Sequence, residues 1–176
     1  MDFFSRPDSL NQAFKLIAQT QTGRTVLEAF LPKYKKGLIS IEPYPVEVLT
    51  RLKSIIGPKQ PVGACFMNDG KNGTIYFDPE SPLGVLAPFL VHEMIHSLDA
   101  TLWELAAVPV SQKTKDQIFL RAEAKAFDVQ HRFTQELKKT HPHYEQFLSS
   151  YSEEAKILID QLTQTDIADL YGFKAS

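Results

Sequence analysis

Apolar residues recur at three- and four-residue spacings through most of the chain and alternate with polar ones in a few short stretches. Leu10, Phe14 and Ile17 mark a first helix, which Pro7 and Asp8 would open and Gly23 would break near its end. A second, short helix is expected around residues 26–31. Residues 37–42 alternate around two isoleucines, the pattern of a strand buried on one face. Pro45 at a first helical position and Gly57 at a C-terminal cap frame a helix over 45–56.

Two further strand-like runs, 62–66 and 74–78, flank Asn68, Asp69, Gly70, Lys71, Asn72 and Gly73, a dense cluster of turn formers. The pattern predicts a β-hairpin. Helical periodicity then dominates over about 86–105, 113–139 and 143–162, with a short tail helix at 166–172. Strands early and helices late predict an α+β fold: one domain over 1–176, with a small early sheet, a hairpin and an edge strand at 73–78.

Composition narrows the possibilities. A chain of 176 residues, 43% of them hydrophobic, is long enough for one real core. Its net charge of −2 comes from interspersed acids and bases, so neither nucleic acid nor an anionic membrane is expected as a partner. The single Cys65 cannot form an internal disulfide. The first ten residues lack the basic and apolar regions of a signal peptide, and no apolar run approaches the roughly 20 residues of a membrane span. A cytoplasmic protein, or one exported without a cleaved signal, is expected; oligomeric state stays open.

The candidate chemistry lies in the segment Leu90 to Asp99, LVHEMIHSLD. On a helix, His92 and His96 project from one face a turn apart, so two imidazoles can reach one ion. Glu93 is rotated by about 100° from His92, near enough to act on a water without being a ligand. The competing reading is a helix with two incidental histidines. A catalytic zinc needs a third protein ligand. The extended pattern HExxHxxGxxH is excluded, because positions 99 and 102 are Asp99 and Leu102.

The remaining candidates are Cys65, Asp99, Glu123, Asp128, His131, His141 and His143. With Ile118 set at zero, Ala122, Ala126, Val129 and Phe133 fall at about 40°, 80°, 20° and 60° around the helix. Glu123 lies at about 140°, on the shoulder of that apolar stripe, whereas Asp128 and His131 point away at about 280° and 220°. A carboxylate facing the interior is costly without a cation or hydrogen bonds. Pairing with Arg121 or Lys125, or reaching solvent, would also serve it. Cys65 reads as a small buried strand residue, Asp99 as an acceptor for a ligating imidazole or a plain polar residue, and His141 and His143 as solvated residues at a helix start.

HEMIH followed 27 residues later by the glutamate of EAKAF resembles the gluzincin branch of zinc metallopeptidases. The stretch GTIYFDPESPLGVLAPFLVHEMIH is similar to small members of that group, including zinc peptidases that cleave bacterial and phage repressors, and QTGRTVLEAF with the strand and hairpin after it resembles certain bacterial effector peptidases. The resemblance implies a zincin-like fold with a catalytic core at about 61–140 and one Zn2+ ion held by His92, His96 and Glu123. It also implies Glu93 as general base and a protein or peptide as substrate. No motif marks an oxyanion-stabilising residue. Two alternatives are an amide hydrolase resembling peptide deformylases, with Cys65 as third ligand, and a non-catalytic binding domain that keeps the fold.

Overall fold

The structure, a computed structural model, describes residues 10–56 and 62–161. The expected helix start at Pro7 and Asp8, the cap at Gly57 and the tail helix lie outside those residues. Two helices come first, α1 (Leu10–Ile17) and α2 (Gln21–Lys35). Gly23 does not end α1; it stands in the first turn of α2, where Thr20 caps it by accepting from the Gly23 N–H at 2.9 Å. A Cβ at Gly23 would come within 2.0 Å of the Ile17 carbonyl oxygen, so the close approach of the two helices requires glycine. The two oxygens of Glu136, from far along the chain, accept from the N–H and hydroxyl of Thr22 at 2.9 and 2.6 Å.

Strand β1 (Ile39–Pro43) and helix α3 (Val46–Ile56) follow, then β2 (Cys65–Asn68) and β3 (Gly73–Phe77). The hairpin turns where the sequence predicts: Gly70 has φ +85°, and Asp69 Oδ1 accepts from the N–H groups of Lys71 and Asn72 at 2.8 and 2.7 Å. The sheet order is β1-β3-β2, with β1 parallel and β2 antiparallel to β3. The expected edge strand at 73–78 is therefore the central one. Its backbone groups are engaged on both sides by β1 and β2, and among the described residues β2 is the outer strand on the hairpin side.

Helix α4 (Leu83–Leu98) passes under the sheet and is buried nearly all round, from Leu83 to Ser97 with only Phe89 partly exposed. It runs through Pro88, which has no N–H to donate to the Gly84 carbonyl four residues back. The hydroxyl of the fully buried Tyr144 donates to that carbonyl instead, at 2.9 Å. The long helix expected over 86–105 is broken at Asp99, whose extended backbone and carboxylate, accepting from Thr101 N–H at 2.9 Å, end α4 and start α5 (Ala100–Ala107).

The 29-residue α6 (Gln112–Thr140), capped by Ser111, lies against α4 and buries Ala122, Ala126, Phe127, Val129 and Phe133. The last expected helix is divided too. α7 (Pro142–Leu148) ends where the hydroxyls of Ser149 and Ser150 bond back to the Gln146 and Phe147 carbonyls, before α8 (Glu153–Lys156) and a π-helical turn, Ile157–Gln161. Asp160 ties that turn to α6 through Lys138, Thr134 and Gln135. The class is α+β, mostly helical, around one hydrophobic core that includes Phe30, Ile39, Ile75, Leu90, Met94 and Phe133. Among the described residues no helix is long and apolar enough to cross a membrane.

Candidate metal centre

Four polar side chains, His92, Glu93, His96 and Ser97, are buried in the otherwise apolar run of α4 from Leu83. Burial of polar groups is costly unless they are partnered. Ser97 bonds back to the Met94 carbonyl at 2.7 Å. The other three converge on α6 and β2.

His92 Nε2 lies 3.2 Å from one oxygen of Glu123, and His96 Nε2 lies 3.1 Å from the other. The two Nε2 atoms are 2.9 Å apart. Helix α6 brings Glu123 here because its apolar stripe packs on α4, which turns the shoulder of that stripe towards the two imidazoles. Two imidazole nitrogens and a carboxylate are the donor set zinc takes, and a tetrahedral ion with ligands at about 2.0–2.1 Å spaces them roughly 3.3 Å apart. The observed separations are within a few tenths of an ångström of that, so these residues fit a zinc ion.

The remaining candidates lie elsewhere. Asp128 pairs with Arg132 at 2.9 Å, His131 bonds to the Asp160 carbonyl, and His141 Nε2 sits 2.6 Å from Gln19 Oε1. Exposed His143 is not in the cluster. Asp99 does not orient an imidazole: it caps α5 and lies 3.8 Å from Lys125, a residue the sequence offered as a partner for Glu123. Nor is Cys65 a buried strand residue. It is exposed, lines the cleft above the cluster and does not join the converging set.

Among the described residues neither buried Nδ1 atom has a hydrogen-bond partner. Packing takes over part of the orienting role, with Phe127, one turn after Glu123, set edge-on to the His92 ring at 4.3 Å between centroids. The end of α4 is fixed as well: the Ser97 carbonyl accepts from Trp103 Nε1 at 2.9 Å and from Lys33 Nζ at 3.2 Å, and Lys33 also lies over the Trp103 ring. Sequence reasoning missed these supports. Phe127, four residues after Glu123, was open to the same helical reading that placed Glu123.

Glu93 is buried beside the cluster, with Oε2 accepting from the Phe66 backbone N–H of β2 at 2.8 Å. Burial pushes its carboxyl upwards, against the pull of His92 and His96. Burial pushes Glu123 up also, but the hydrogen bonds from the two imidazoles outweigh it and hold the carboxyl down at about 2. For His96, burial opposes the charge, and the Glu123 hydrogen bond and the Glu93 charge overcome it, so the imidazole is raised. Although Cys65 is exposed as a residue, desolvation of its thiol against the cleft wall, followed by the charges of Glu93 and Glu123, pushes that thiol up to about 11.

The cluster opens into a cleft of about 720 Å3, walled by β2, α5 and the first half of α6. No protein-family model, curated protein or solved structure matches the chain.

Proposed function

We propose that the chain is a zinc-dependent metallopeptidase of the gluzincin type, on a zincin-like fold, that hydrolyses peptide bonds of a protein or peptide. The observation that carries this reading is the meeting of His92 Nε2, His96 Nε2 and both oxygens of Glu123 at 2.9–3.2 Å beside the buried Glu93. His92, His96 and Glu123 would hold the ion. A bound zinc supplies Lewis acidity towards a water and towards the scissile carbonyl.

Glu93 is the general base. The Phe66 N–H fixes one of its oxygens, leaving the other to take a proton from the attacking water and later to deliver it to the leaving amine. Its raised proton affinity suits both transfers. With its Phe66 N–H taken by Glu93, β2 offers its remaining outward backbone groups to an extended chain, so β2, and not the 73–78 strand, would align a peptide across the cleft. A third ligand at Cys65, as in a deformylase-like hydrolase, has no support in this geometry.

The test is Glu93→Gln, which preserves shape but cannot accept the proton. It should keep one zinc per chain and lose peptide hydrolysis by about 100-fold or more. Loss of the metal would mean that Glu93 is a ligand. A zinc-loaded wild type that cleaves no peptide would instead mark a non-catalytic binding domain.

A further inference from the structure

The face of α6 that carries Glu123 continues outwards along the cleft through Phe119, Asp116, Lys115 and Gln112, at the spacing of successive helical turns. Phe119, one turn from the ligand, leaves 43% of its surface exposed, although a more buried position on the apolar stripe lies next to it at Ala122. Opposite it, α5 presents Leu102 and Leu105, three residues apart on one face, and β2 presents Met67, 61% exposed. The lining is apolar over most of its area. Besides Glu93, His96 and Glu123, its ionisable groups include Cys65, and Lys115 and Asp116, a full turn further out.

An exposed phenyl and an exposed methionine face the same cleft as a buried polar cluster, the combination of apolar wall and few convergent polar groups that marks a ligand site. An occupant is implied that approaches along β2. A strand paired to the β2 edge turns alternate side chains to the same side, so one of them enters the space between Phe119 and α5.

We infer that Phe119, Leu102 and Leu105 form the side-chain subsite of this cleft, and that its occupant is an extended peptide with a bulky apolar residue beside the scissile bond. Phe119 is the specificity-determining residue. The inference takes its substrate class from the peptidase reading, but its test does not depend on turnover. Charged and small side chains are disfavoured: the former lose hydration without gaining a partner, the latter leave the ring exposed.

The experiment uses the full chain, zinc-loaded, and peptides that differ only at one position next to the scissile bond: Leu or Phe against Ala, Asp or Lys. Hydrolysis is measured with wild type, and binding by calorimetry with Glu93→Gln, which is inert but metal-bound. Leu and Phe peptides should bind, and be cleaved, at least tenfold better than Asp peptides. Phe119→Ala in the Glu93→Gln background should reduce that difference by on the order of tenfold at unchanged zinc content, and Phe119→Lys should turn it towards Asp.

Selective binding that both Phe119 variants leave unaltered would overturn the subsite, as would cleavage or binding indifferent to the varied residue; cleavage would still stand for the peptidase reading. Selective binding lost in Phe119→Ala, together with no cleavage by wild type, would uphold the subsite and overturn the peptidase reading. A zinc-loaded protein that neither binds nor cleaves any of these peptides would overturn both.

Discussion

His96 and Glu123 set how the cluster answers to pH. In the metal-free folded protein His96 holds its proton more tightly than the unfolded chain does, whose imidazole titrates near 6.5. Stability from this group is complete below that value and is lost as pH rises through the folded pKa. The upward shift of Glu93 acts in the same direction, and Glu123, held at about 2, stays ionised throughout. Chelator-stripped protein should therefore lose stability as pH rises above about 6.5, by denaturant titration at each pH. Zinc displaces those protons, so zinc affinity should rise over the same interval. A metal-free stability that increases with pH there would contradict the protonation scheme.

Helix α4 places both motif histidines, and its upper half depends on a substitution between elements. Pro88 removes one N–H from the helix, and Tyr144 on α7 supplies an O–H to the carbonyl that lost it. Tyr144→Phe should cost about 1–3 kcal/mol, because a buried acceptor loses its donor. In a Pro88→Ala background the restored N–H reaches that carbonyl, and the same change should cost less than half as much. Equal costs in the two backgrounds, by chemical denaturation, would show that Tyr144 acts through packing alone.

Much at this scale was legible in the sequence. Turn formers marked the hairpin, and the phase of Ala122, Ala126, Val129 and Phe133 oriented Glu123 correctly because a long helix repeats its period many times. The break at Asp99 was hidden, since the apolar pattern continues across it into Leu102 and only a local cap divides the helix. The helix through Pro88 was hidden also, because its compensation comes from a residue 56 positions later. Pairing of β1 with β3 is a long-range choice that strand patterns do not encode, so the edge strand was placed on the wrong member of the hairpin.

For the molecule as a whole, the cluster joins α4 to α6, the two helices that carry the core, and a ligand bound there stabilises the folded state by mass action. At a free zinc concentration of about 100 times the dissociation constant, the gain is about 2.7 kcal/mol, visible as a rise in melting temperature. His92→Ala and His96→Ala should each lose that rise. The most direct test of the account is a zinc titration against a competing chelator for wild type, Glu123→Ala and Cys65→Ser. Wild type and Cys65→Ser should bind one zinc per chain with similar affinity, and Glu123→Ala should bind more than about 100-fold less tightly, beyond the usual effect of residues that only support a ligand. Full affinity in Glu123→Ala, or no zinc bound by wild type, would contradict it.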